Sequence, residues 1–380
     1  WIGKDERPKL EPRILIEDPG LSYHADKRYG EKDQFDNMLM QGDNLLALKA
    51  LEQDYSGKVK CIYIDPPYNT GQAFDYYDDG LEHSIWLGLM KERFSFLRNL
   101  LCVDGVFFCQ INDEEAAYAK VICDEVFGRD NFLNQVSVKM KQTSGASGGG
   151  EDKKLKKNIE YILIYTKDRN KFQKFNEVYE EENLFDLIYA MREEGKSWKY
   201  TRVITNYGER KFVETIQDGS GEDIKIYEHK DYEFKTIKEL MQEERIDEEA
   251  CYAKYFDHIF RDTNAQSSIR TRVMEATEDF SDLISIEYFP KSGRSKGKKT
   301  VLYYKGRNRD LIAWLRDICS KKGNRLIRQG KLGTYWDGFP LNNLTKEGNV
   351  KFKGKKPEAL IQQVLSLCTS EGDVVLDSFG

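Results

Sequence analysis

Four histidines in 380 residues are too few to expect a zinc site. The seven cysteines (61, 102, 109, 123, 251, 319 and 368) are scattered, and no Cys-x-x-Cys occurs. Metal clips and redox dithiols are therefore not expected to organise the chain; reduced core cysteines of a cytoplasmic protein are. No run of 18 apolar residues exists, so no membrane-spanning helix is expected. No signal-peptide pattern is visible, and Trp1 in place of an initiator methionine is expected of a fragment or processed form. Positive charge is also short. The formal net charge is −6, which taken alone argues against a nucleic-acid partner. What is present is 39% hydrophobic and 33% charged residues, in a chain long enough for two or three soluble globular domains.

The distribution of charge reverses that first impression. From Lys291 to Leu332 there are 14 Lys/Arg against two Asp, whereas residues 171–250 carry 21 Asp/Glu against 13 Lys/Arg. A basic stripe on an otherwise acidic protein is the usual footprint of a phosphate-binding face. Lys298, Lys299, Arg307 and Arg309 of this stripe are the expected DNA contacts.

The most informative stretch is Cys61-Ile-Tyr-Ile-Asp65-Pro66-Pro67-Tyr68-Asn-Thr-Gly71. Ile62, Tyr63 and Ile64 read as a short buried strand. Two prolines then stop it, because they cannot donate to a ladder. A carboxylate, a proline turn and an aromatic ring are thus delivered at the carboxyl end of a strand, the edge where open α/β sheets bind ligands. Asp65 and a carbonyl of the Pro66-Pro67 turn are acceptors able to hold both hydrogens of an exocyclic amine. An amine conjugated to a base is a poor nucleophile; two acceptors favour pyramidalisation and expose its lone pair. Tyr68 can stack on a base drawn out of a duplex.

The surrounding order is α/β. Met38–Leu45 reads as a strand that breaks at Gly42-Asp43, and Leu45, Leu48 and Leu51 follow at helical spacing. With the strand at 61–64 this forms a parallel unit, placing Asp43 and Asp65 at one sheet edge. His83–Leu101 is a strong helix with Trp86, Met90, Phe94 and Leu97 on one face. Val106–Ile111 is a buried strand after Asp104-Gly105, a helix runs to about Phe127, and strands are expected at Phe132–Met140 and Tyr161–Tyr165. Lys141–Asn158 reads as a Gly/Ser-rich, then lysine-rich loop. The rhythm fails over 171–345 and returns with Lys356-Pro357, an apolar helix face at Leu360, Ile361, Val364 and Leu365, and the strand Val374–Leu376 before Asp377-Ser378-Phe379-Gly380.

Asp65-Pro66-Pro67-Tyr68 resembles the catalytic motif of amino-methyltransferases, which use S-adenosylmethionine to methylate adenine N6 or cytosine N4. Asn69-Thr70-Gly71 and His83-Ser84-x-Trp86-Leu87 resemble the modification subunits of Type III restriction systems. The catalytic motif precedes the cofactor motif, which is the circularly permuted arrangement called the β class. The implied fold is an α/β, Rossmann-like S-adenosylmethionine-dependent methyltransferase sheet with an inserted α+β target-recognition domain. The implied domains are an N-terminal arm at 1–35, the catalytic part at 36–170, the recognition insert at 171–345 and the cofactor-binding part at 346–380.

The resemblance implies catalytic roles for Asp65, Pro66, Pro67 and Tyr68. Asp43, Lys356, Pro357, Asp377, Phe379 and Gly380 are the expected cofactor-binding residues. No metal is needed for the transfer. The family's glycine loop continues beyond Phe379-Gly380, where this chain stops. No Pro-Cys dipeptide occurs, as expected of a transferase that needs no cysteine nucleophile. The function expected is adenine-N6 methylation of double-stranded DNA in a bacterial, nucleoid-associated setting. The alternatives are cytosine N4, RNA, or a DNA-recognition subunit that positions a nuclease-helicase. The expected partners are a second copy and/or a restriction subunit carrying the nuclease-helicase; no membrane is expected. Gly293–Thr300 is a poor match to a phosphate loop and is expected to be a solvated, DNA-facing loop.

Overall fold

The computed structural model describes residues 1–5, 10–11, 13–22, 37–69, 82–141, 155, 157–291, 296–323, 325–342, 344–349 and 354–379. Two compact units emerge, one of Trp1–Val178 with Leu332–Gly380 and one of Tyr179–Lys331. The glycine-rich loop at 142–154, Lys156, Thr70, Gly71, residues 293–295 and Gly380 lie outside the described residues.

In chain order the first unit holds α1 (Asn44–Tyr55), β1 (Val59–Ile64), α2 (His83–Leu100), β2 (Leu101–Ile111), α3 (Ala116–Phe127), β3 (Phe132–Lys139), β4 (Ile159–Thr166), β5 (Tyr335–Trp336), α4 (Glu358–Cys368) and β6 (Val374–Leu376). They form a six-stranded sheet in the order β5-β3-β4-β2-β1-β6. Strands β6, β1 and β2 are parallel, with Ile62 opposite Leu376 on one side and Phe107 on the other. β4 runs antiparallel to both β2 and β3.

Alternation along the strands builds two apolar layers. Ile62, Ile64, Phe107, Cys109, Leu163 and Tyr165 face α1, α2 and α3, where Trp86, Met90, Phe94 and Leu97 complete the core. Cys61, Tyr63, Val106, Phe108, Ile162 and Ile164 face the other way, against Leu360, Val364 and Leu367 of α4 and against Trp336. Residues fully buried on both faces explain why these strands read as apolar runs.

Two expectations change. Met38–Gln41 forms no strand, and Met38 and Leu39 are exposed. This run pairs with no strand among the described residues. β2 also starts at Leu101 rather than after Gly105, with a register shift between Val59 and Cys61 of its partner. Gly105 is required there: a Cβ would stand 2.8 Å from a Leu101 methyl and 3.0 Å from the Val59 carbonyl oxygen.

The second unit is α+β. Its eight-stranded sheet is antiparallel in every pairing, and a three-stranded antiparallel sheet joins Tyr179–Asn183, Cys319–Lys322 and Arg325–Lys331. The division at 178/179 and 331/332 falls inside the span 171–345 drawn from composition. Residues near the two ends of that span, Phe172, Phe175, Leu332 and Trp336, belong to the core under α4.

Candidate active site

Tyr63 faces α4, and the same alternation carries Asp65 out of β1 on that side. There it meets Lys356, which precedes the helix. Lys356 Nζ lies 3.3 Å from Asp65 Oδ1. The ammonium also donates to Glu160 Oε2 at 2.9 Å and to the Tyr68 hydroxyl at 2.7 Å. Tyr68 donates in turn to Glu160 at 2.8 Å. Gln110 Nε2 donates to Glu160 at 2.6 Å, and the Tyr63 hydroxyl donates to Gln110 Oε1 at 2.7 Å. Three adjacent strand ends therefore contribute polar side chains to one network beneath the Asp65–Tyr68 turn.

The proline turn is held separately. Trp86 Nε1 donates to the Pro67 carbonyl at 2.9 Å. Asn69 sits at φ +54° and donates to Glu115 Oε1 at 2.9 Å. His83 Nδ1 is 3.2 Å from the same oxygen. Asp65 Oδ1 is buried, off hydrogen-bond geometry to Lys356 and without a hydrogen-bond partner among the described residues.

Burial pushes the Asp65 carboxyl up to about 6; the Lys356 ammonium limits the rise and the Glu160 charge adds to it. Lys356 goes the other way. Burial disfavours its charge, but Asp65 and Glu160 together outweigh this and raise its pKa. Burial likewise opposes the Glu160 charge, and Lys356 with the bonds from Gln110 and Tyr68 holds that carboxyl below its ordinary value. Lys356 and Glu160 are thus a firmly ionised pair, with Asp65 the softer acid beside them.

A second cluster joins β6 to α1. Asp377 is exposed and accepts the Phe379 N–H at 3.0 Å, while Phe379 is buried in the core. Asn44 donates to the Ser378 carbonyl at 2.9 Å, and its own Oδ1 accepts from Arg93 Nε at 2.5 Å. Asp43 caps α1 by accepting the Leu46 N–H, and its carboxylate lies 3.6 Å from Arg93. The Ser378 hydroxyl is buried without a hydrogen-bond partner among the described residues. An orphaned hydroxyl beside an exposed carboxylate suits a ligand with hydroxyl and ammonium groups.

The expected site residues divide accordingly. Asp65, Pro66, Pro67 and Tyr68 come together with Lys356, and Asp43, Asp377 and Phe379 gather at the β6–α1 edge. Pro357 is buried as the N-cap of α4. Gly380 lies outside the described residues. The Lys356 ammonium points to the Asp65 carboxylate, not to the β6–α1 cluster. Glu160, Gln110, Asn44, Arg93 and Ser378 were not singled out from sequence. Glu160 and Gln110 stand at the ends of apolar strands on the face shared with Asp65, which is the signal that marks them.

In the second unit Lys298 and Arg307 are exposed. Lys299 pairs with Glu287 at 2.9 Å. Arg309 is a correction: it is 2% exposed, and its guanidinium donates to Thr277, to the Ser281 carbonyl and to Gly306. It holds a turn together and cannot contact a phosphate without abandoning these bonds. A cleft of about 380 Å³ lined by Lys199, Thr201, Arg202, Arg261 and Asp262 was not foreseen, because Lys199 and Arg202 lie far along the chain from Arg261.

A sheet with parallel strands that presents Asp-Pro-Pro-Tyr at the carboxyl end of β1 defines a Rossmann-like α/β unit of methyltransferase type. The chain belongs to the DNA methylase family of the N6/N4 class, whose pattern matches residues 59–380. It is 40% identical over 354 residues to the probable type III restriction-modification enzyme HindVI Mod subunit of Haemophilus influenzae, covering 92% of this chain and 46% of that protein. It is 30% identical over 205 residues to the EcoP15I Mod subunit of Escherichia coli, covering 44% of this chain and 30% of that one. The chain thus spans less than half the length of these relatives. Among solved structures, the M1.HpyAVI–SAM complex is 15% identical over 37% of this chain and 57% of its own, with a TM-score of 0.25. The cytosine-N4-specific PvuII DNA methyltransferase is 13% identical over 36% and 50%, with a TM-score of 0.28.

Proposed function

We infer that the chain transfers a methyl group from S-adenosylmethionine to adenine N6 of a base flipped out of double-stranded DNA, as the modification subunit of a Type III-like restriction-modification system. The observation that carries this is Asp65 Oδ1, a buried carboxylate oxygen with no hydrogen-bond partner among the described residues, at the edge of β1 beside the Pro66 carbonyl. These two acceptors suit the two hydrogens of an exocyclic amine. Tyr68, anchored through its hydroxyl, offers its ring to the base. The cofactor supplies an electrophilic methyl when bound, and Asp43, Asp377 and Ser378 are the groups suited to hold it.

Asp65 orients the amine and faces the positive charge that grows on it, so its charge stabilises the transition state more than the ground state. The amine proton leaves afterwards to water. Residues 179–331 act as the target-recognition domain, with Lys298, Arg307 and the cleft around Arg261 directed to phosphates. The partners follow from the same reading: a second copy and a restriction subunit that carries the nuclease-helicase.

Incubation with labelled cofactor and duplex DNA, followed by nucleoside analysis, tests the reading. Label in N6-methyl-2′-deoxyadenosine is expected. Label in N4-methyl-2′-deoxycytidine would move the target to cytosine, and no label in DNA would overturn the proposal.

A further inference from the structure

Lys356 and Glu160 have no assigned part in the transfer, yet among the described residues Lys356 is the cation that reaches Asp65. We propose that Lys356 and Glu160 are positioning residues, a buried ion pair that fixes Tyr68 by its hydroxyl and sets the charge of the Asp65 pocket. This rests on reading residues 65–68 as an amine-methylating site.

The geometry leaves little alternative use for the lysine. An ammonium has three N–H donors. Those of Lys356 go to Tyr68 at 2.7 Å and to Glu160 at 2.9 Å, and the ammonium faces Asp65 Oδ1 as an ion pair at 3.3 Å. The ammonium stands at the hydroxyl end of Tyr68, 4.8 Å from the ring centroid.

The charges then decide what Glu160 does. Lys356 alone would neutralise Asp65 and blunt its attraction for a developing cation. With Glu160 present, two carboxylates share one ammonium, and the pocket keeps one negative charge, matched to the amine as the methyl arrives. Gln110, anchored by Tyr63, holds Glu160 in place. The titratable groups facing Asp65 are Tyr68 on its own turn, Tyr63 of β1, Cys109 of β2, Glu160 of β4 and Lys356. Only the last two carry charge at neutral pH, so their removal has opposite and readable effects.

The experiment compares parent, Lys356→Met and Glu160→Gln. It reads single-turnover rate against pH, cofactor affinity by calorimetry, and the Asp65 carboxyl titration by difference infrared spectroscopy, its band assigned by loss in Asp65→Asn. Lys356→Met should move the acidic limb to higher pH by about one unit or more, and Glu160→Gln should move it lower with a reduced plateau. Cofactor affinity should stay at the parent level in both. Limbs that move together or not at all would overturn the proposal, as would weakened cofactor binding by Lys356→Met with an unmoved limb. If the parent transfers no methyl, the function fails, yet the infrared titration still tests the clamp: opposite displacements support it, and unmoved ones overturn it.

Discussion

Burial opposes the ionised form of Asp65 that the proposed transfer requires. Its carboxyl is held at about 6, above the ordinary value, by that burial and by Glu160, with Lys356 acting against them. The consequence for activity has a definite sign. On the proposed reading transfer should be fast above this value, where the carboxylate is ionised, and should slow as pH falls through about 6 and the group protonates. The consequence for stability runs the other way. A carboxyl whose folded value is raised costs the fold stability when ionised, and protonation below 6 relieves that cost. Asp65→Asn should therefore melt no lower than the parent at pH 8 while losing activity. Differential scanning calorimetry checks this, and a substantially lower melting temperature would show that the charge supports the fold. At this scale the turn at Asp65 to Tyr68 was legible, because two prolines behind an apolar run must end the strand. Glu160 and Gln110 were not. A polar residue at a strand end looks like any strand boundary until the neighbouring strands are in register.

Among elements, α2 was the most legible, since its apolar face repeats at helical spacing and is buried as expected. Arg93 interrupts that face. A buried guanidinium is tolerated because Asn44, the Leu89 carbonyl and Asp43 receive it. Through Asn44 it ties α1 to the backbone after β6. Arg93→Leu should leave Asn44 Oδ1 unpaired, costing about 1–3 kcal/mol of stability. It should also weaken cofactor binding, because the Asp377-Ser378 turn loses its brace. Denaturant unfolding and calorimetric titration measure the two effects; an unchanged affinity would detach this network from the cofactor. Met38–Gln41 departs from its expected strand for the opposite reason. An apolar run becomes a strand only beside a partner, and sequence alone does not show whether the partner is there.

For the whole molecule, the shift from α/β to α+β was visible in the lost strand–helix rhythm, and the boundary residues were not. Phe172 and Phe175 join the first unit through aromatic packing, which composition does not register. The basic stripe is less free than its charge suggests. Charge counts do not show pairing: Lys291, Lys299, Lys305 and Lys322 meet Glu222, Glu287, Asp262 and Glu181, and Arg309 is buried. The exposed pair Lys298 and Arg307 carries the DNA expectation. Reversing both to Glu should weaken DNA binding and reduce the magnitude of the log–log salt slope by about 0.9 for each phosphate no longer neutralised. An unchanged slope, read from fluorescence anisotropy over a salt series, would place the DNA elsewhere on the molecule.

The central claim, that Asp65 holds and polarises an amine, is tested most directly by single-turnover methyl transfer from Asp65→Ala at saturating DNA and cofactor. Removing one preorganised electrostatic group costs roughly 2.7–4 kcal/mol, a hundred- to a thousandfold in rate. The expected result is a loss of at least that size, with DNA and cofactor affinities close to the parent's. Near-parent turnover by Asp65→Ala would contradict the assignment of this site.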